Sequence, residues 1–146
     1  SDFFGRLREL LKDRKDIRVE GDRFVFQSEV LFPSGSADMN VEGLAALDEL
    51  AKAILELEKS IPAEINWALQ VDGHTDVRPI ASAAFPSNWH LSTARAISVV
   101  RYLISRGVTA TRLIAAGHGE FNPLDTGTSE EALRRNRRIE LKLTNR

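Results

Sequence analysis

Asp76 and Arg95 are the residues whose types and placement best suit recognition chemistry. Asp76 closes the polar run Asp72-Gly73-His74-Thr75-Asp76, which follows directly on Trp67, Leu69 and Val71 alternating with polar or small residues. A polar cluster at the end of a buried strand lies at a sheet edge, where ligands commonly bind. Arg95 stands in Ser92-Thr93-Ala94-Arg95-Ala96, in the first turns of a predicted helix. A guanidinium there needs an anion to meet. On spacing alone the pair reads either as a structural ion pair or helix cap, or as two poles of a site for a charged ligand.

Other chemistries find less support. His74, Asp76, His90 and His118 are imidazole and carboxylate groups on loops or helix starts, so the rival reading is a metal-dependent hydrolase using His74, Asp76 and His118. Against it, no helix carries a His-Glu-x-x-His pair, and His90 is expected to face solvent. No serine sits in a Gly-x-Ser-x-Gly elbow, and the chain has no cysteine. Catalysis, a bound metal and a cofactor are therefore not expected.

These side chains need a scaffold, and 146 residues with 42% hydrophobic and 28% charged composition suit one globular core. A net charge of −1 argues against a surface built to neutralise nucleic-acid phosphates. No apolar run approaches the roughly 20 residues of a membrane helix. The chain opens on Ser1, and the expectation is that an anchoring segment lies upstream.

Residues 1–20 read as an amphipathic helix and linker, with Phe3, Phe4, Leu7, Leu10 and Leu11 on one helical side, and residues 21–146 as the main domain. Such a stripe either docks on the domain or meets a partner. Arg23 to Phe26 is a strand, and Val30 to Phe32 is a second short apolar piece closed by the turn cluster Pro33 to Ser36. A long helix spans Val41 to Lys59, carrying Leu44, Leu47, Ala51, Ile54 and Leu55 on one stripe. The strand from Trp67 comes next, then a second long helix that starts between Ser87 and Ser92 and ends near Arg106. Leu113 to Ala116 is a strand; Thr128 or Ser129 caps a short helix; Ile139, Leu141 and Leu143 alternate in a terminal strand. Alternating strands and long helices predict a two-layer α/β sandwich, one mixed sheet with helices packed on one face.

Three ordered segments carry a family resemblance. Gly73-His74-Thr75-Asp76, then Ser87-Asn88-Trp89-His90-Leu91-Ser92-Thr93-Ala94-Arg95-Ala96, then Asn136-Arg137-Arg138-Ile139-Glu140 resemble the signatures of OmpA-like peptidoglycan-binding domains, and the resemblance runs from Phe26 to the C-terminus. Asp76-Val77-Arg78-Pro79-Ile80 and Phe85-Pro86-Ser87-Asn88-Trp89 look more like the MotB (flagellar stator) type than like porin tails.

The resemblance implies a site for diaminopimelate of the wall's peptide stem, with Asp76 meeting its ammonium and Arg95 its carboxylate. Thr75, Asn88 and Leu91 would line the pocket, and Asn136 with Arg137 would close it. Read by themselves, Asn136 is equally a helix C-cap, Arg137 a surface charge and Leu91 core. A zwitterionic centre wants one fixed anion and one planar bidentate cation, which an aspartate and an arginine supply. The resemblance further implies peptidoglycan as partner, a homodimer, a periplasmic location and a membrane-anchored segment upstream, so that the domain tethers a membrane protein or motor stator. A pure dimerisation or interaction module is the remaining alternative, with the stripe at Phe3 to Leu11 as its surface. Two departures stand out: His90 replaces the relatives' usual Glu three after the Ser87 cap, which weakens the reciprocal capping box, and Ala132-Leu133 replaces a usual Gly-Arg.

Overall fold

The computed structural model describes residues 2–146; Ser1, with which the N-terminal segment begins, lies outside the described residues. Five strands form one sheet in the order β1-β2-β5-β3-β4, with β1 at Arg18–Glu20, β2 at Arg23–Gln27, β3 at Trp67–His74, β4 at Leu113–Gly117 and β5 at Arg138–Asn145. All pairings are antiparallel except β3 with β4. That parallel pair needs a crossover, which is the helix α4 at Asn88–Ser105.

Period-two alternation sorts the sheet into two faces. Phe24 lies opposite Leu141 and Leu141 opposite Val71, so one apolar row crosses three strands. Ile139 joins Phe26 to Gly73 in the next row. This face is covered by α4 and by α3 (Val41–Ser60), which bury Leu47, Leu50, Ile54, Leu57, Ala96, Val99 and Leu103. Each fully buried Leu or Ile contributes about 1.5–3 kcal/mol. The result is the expected two-layer sandwich.

The N-terminal segment is part of this core. The helix α1 (Asp2–Leu11) packs on α3, burying Leu7 and Leu11, and the Phe4 ring lies 4.9 Å from that of Phe24. Ile17 belongs to the same apolar cluster, and β1 extends the sheet. The stripe offered above as a partner surface is thus spent within the chain, with only Leu10 left half exposed at 51%. The apolar piece at Val30 falls in a one-turn helix, α2 (Ser28–Leu31). A short helix α5 (Glu130–Asn136) precedes β5; its cap is Ser129, whose hydroxyl accepts from Ala132 N–H.

The other sheet face is polar, presenting Asp72, His74, Arg138 and Glu140, all buried, beneath residues 121–124. Among the described residues no helix is long and apolar enough to cross a membrane.

Candidate functional site

The site begins where β3 ends, because α4 approaches the sheet there more closely than side chains allow. A Cβ on Gly73 would lie 2.2 Å from the Ser92 carbonyl oxygen, and one on Gly117 would lie 2.0 Å from Thr93 Oγ1. Glycine at both positions lets the first turns of α4 sit against the strand ends. The chain leaving β3 is fixed by Thr75 N–H donating to the Gly119 carbonyl at 2.9 Å, and Gly119 N–H donates to Ser92 Oγ at 3.0 Å. Asp76 and Arg95 thereby face one cavity of about 490 Å³, which Thr75, Asn88, Leu91 and Arg137 also line.

The anionic pole is heavily bonded. Asp76 Oδ2 accepts from Arg78 Nη2 at 2.6 Å and Arg137 Nη1 at 2.8 Å, while Oδ1 accepts from Arg78 N–H at 2.9 Å. Burial pushes the Asp76 carboxyl up, but the hydrogen bonds from Arg78 and Arg137 outweigh it and hold the group below its usual range. Arg137 also reaches Glu29 at 3.2 Å and Glu130 at 3.3 Å. Burial alone would lower its pKa, yet these carboxylates raise it.

The cationic pole is different. Arg95 is 5% exposed; its Nε donates to the Ser36 carbonyl at 2.8 Å and its Nη2 to the Pro33 carbonyl at 3.1 Å. The guanidinium lies 5.0 Å from the centre of the Phe32 ring, at cation–π range. Two carbonyls and a ring fix its orientation without neutralising it, and no carboxylate among the described residues pairs with it. Burial lowers its pKa to about 10 against the more distant attraction of the Glu29 carboxylate, with Arg137 adding to the lowering, and the group is still charged at neutral pH. A buried cation with only neutral partners is costly unless an anion meets it.

The remaining expected residues divide. Asn88 Nδ2 donates to the Arg78 carbonyl at 3.0 Å and so holds the loop after Asp76; Leu91, 6% exposed, is both core and cavity wall. Asn136 does not close the pocket. Its Oδ1 accepts from Leu124 N–H at 2.8 Å and Asp125 N–H at 3.1 Å, and its Nδ2 donates to the Asp125 carbonyl at 2.8 Å. Those three bonds turn the side chain to the loop before α5. At the start of α4, Ser87 Oγ accepts from His90 N–H at a long 3.4 Å and lies 2.7 Å from His90 Nδ1. The imidazole thus holds the capping hydroxyl where a Glu would have reached the backbone of residue 87.

A second cavity, of about 550 Å³, lies on the polar sheet face and holds the histidines of the metal reading. His74 and His118 stack with ring centroids 4.6 Å apart, and His118 Nε2 lies 2.8 Å from Asp72 Oδ1. Asp76 lines the other cavity, so His74, Asp76 and His118 do not converge. Among the described residues no group of His, Asp and Glu is arranged to hold a metal ion.

Sequence reasoning missed Arg78, Glu29 and Glu130 in the first cavity. Arg78 left a signal: an aspartate commonly accepts from the backbone two residues on. Glu29 and Glu130 left none, since they arrive from α2 and α5 through tertiary packing.

The OmpA family matches residues 31–137. Motility protein B of Bacillus subtilis is 30% identical over 93% of the chain, which covers 52% of that protein; the chain spans about half the length of the first curated relatives it matches. Among solved structures, a MotB-like protein from Desulfovibrio vulgaris superposes with a TM-score of 0.83 at 29% identity, covering 99% of this chain and 93% of that one. The cell wall anchor of the T6SS from Pseudomonas aeruginosa gives 0.81 at 34% identity, covering 97% and 98%. The matched span contains α3, β3, α4, β4 and α5 and all but one of the charged groups of the Asp76 cavity, Glu29 lying just before it, and the chain belongs to the OmpA family.

Proposed function

We propose that the domain binds bacterial peptidoglycan without catalysis, gripping the diaminopimelate of the peptide stem in the Asp76–Arg95 cavity. The observation that carries this reading is Arg95: a buried guanidinium with a fixed orientation and, among the described residues, no carboxylate within ion-pair distance, lining the same cavity as a buried aspartate. A carboxylate that accepts from Arg95 and an ammonium that donates to Asp76 are the two ends of one amino acid centre. The side-chain carbons between them would lie along Leu91 and Phe32.

The likeness to MotB-type domains and to a cell wall anchor supports a tether in the periplasm, joined to a membrane-anchored segment upstream. A homodimer belongs to the same reading and rests on that likeness; the α1 stripe, covered by α3, no longer argues for it. Retention on purified sacculi tests the function. The wild-type domain should co-sediment with them, and Arg95→Ala should remain folded by circular dichroism but stay in the supernatant. Equal retention of both forms contradicts the assignment of Arg95.

A further inference from the structure

The Asp76 carboxylate is already fully subscribed. Its Oδ1 accepts from Arg78 N–H at 2.9 Å and Arg78 Nε at 3.3 Å; its Oδ2 accepts from Arg78 Nη2 at 2.6 Å, Arg78 Nε at 3.2 Å and Arg137 Nη1 at 2.8 Å. A carboxylate offers about four lone-pair positions, so an incoming ammonium must displace a donor. The two guanidiniums are unequally held. The Arg137 side chain is 19% exposed and shared with Glu29 and Glu130, whereas the Arg78 side chain is 55% exposed, with the Glu130 carboxylate, at 3.9 Å, as its one further anion among the described residues.

We propose that Arg78 is a displaceable counter-cation that occupies the ammonium subsite of the cavity, so that only a ligand bringing its own cation opens Asp76. The inference rests on the peptidoglycan reading and deepens it by naming a residue that sets specificity. Asn88 holds the Arg78 carbonyl at 3.0 Å, and the Arg78 backbone N–H stays on Asp76, so only the side chain has to leave. Glu130, already 3.9 Å from Arg78 Nη1, is an anion the released guanidinium can turn to. The exchange swaps one cation for another, and the buried carboxylate is never left bare, which would be costly. A neutral ligand, or one with a carboxylate alone, cannot make this exchange.

The test is calorimetry of Arg78→Ala against wild type, using a stem peptide with diaminopimelate and its lysine counterpart. Both peptides present the ammonium, so both bind the variant more tightly by the same factor. That factor is about fivefold, the scale of a partly exposed ion pair. Arg78→Gln, which keeps the length of the side chain, gives the same gain and guards against a folding defect in the alanine variant. Unchanged or weaker binding of the diaminopimelate peptide to both variants overturns the exchange, because Arg78 would then be idle or a direct ligand contact. If wild type and variants all fail to bind that peptide, the peptidoglycan reading fails and the exchange with it.

Discussion

Arg95 and His74 show how burial gives two ionisable residues opposite fates. Arg95 keeps its charge because its protonated form is intrinsically so stable, whereas His74 is driven neutral: burial, then Arg138, lowers its pKa from 6.5 to about 4, His118 adding to the shift while Glu140 and Asp72 oppose it. Among the described residues neither ring nitrogen of His74 has a hydrogen-bond partner, and the ring is held by stacking on His118. As pH falls through 6.5 the unfolded chain takes up a proton that the folded one refuses until about pH 4, so stability declines across that window. Between pH 7 and 5 the loss from this residue is ~2 kcal/mol. The carboxyls of Asp76 and Glu140, held below their usual range, lose their contribution only at lower pH. Urea unfolding at the two pH values should show the decline in wild type and a flatter response in His74→Phe, which keeps a stacked ring; equal slopes would contradict the account. At this scale the sequence was half legible. Asp76 and Arg95 stood out because their motifs are local, but Asn136 was misplaced because a side chain that caps a loop and one that closes a pocket look alike until the loop's direction is known.

At the scale of elements, the long periodic segments were legible and the short ones were not. α3 and α4 repeat a buried pattern often enough to reveal it in the sequence, and β3 shows itself through Trp67, Leu69 and Val71 at every second position, although both of its faces are buried. β1 could not be read, because all three of its residues are exposed and only pairing with β2 makes them a strand. α2 is four residues long, too short for a helical period to show. The close seat of α4 on β3 was equally hidden, since nothing in Gly73 itself says what lies opposite. That seat sets the position of Arg95, so Gly73→Ala should force the backbone at Ser92 outward. Overpacking of this kind costs about 3 kcal/mol, or on the order of 10 °C in thermal midpoint for a domain of this size. A midpoint within a degree or two of wild type, read by differential scanning fluorimetry, would show that α4 yields more easily than the geometry requires.

For the whole molecule, the sheet separates two kinds of buried charge. On the polar face Arg23, Arg138, Asp72 and Glu140 lie in one ion-paired cluster, with Arg138 2.6 Å from Glu140 and Arg23 2.8 Å from it. On the helix side Arg95 has no carboxylate within ion-pair distance among the described residues, and that asymmetry is what the proposed anion-binding role of its cavity rests on. The sandwich itself was legible from the alternation of strands and helices, whereas which face carried the site depended on the sheet order, a product of long-range pairing. If Asp76 and Arg95 clamp the second amino acid centre of diaminopimelate, as proposed, calorimetry with two stem peptides separates that clamp from any looser hold. Lysine keeps an ammonium but lacks the second carboxylate. One charge-assisted hydrogen bond is worth about 1.5–3 kcal/mol, so the lysine peptide should bind the wild-type domain roughly ten- to a hundredfold more weakly. Arg95→Ala should lose a similar factor with the diaminopimelate peptide and little with the lysine peptide, whose missing carboxylate has already removed that bond. Equal affinity of the wild-type domain for the two peptides would contradict the account.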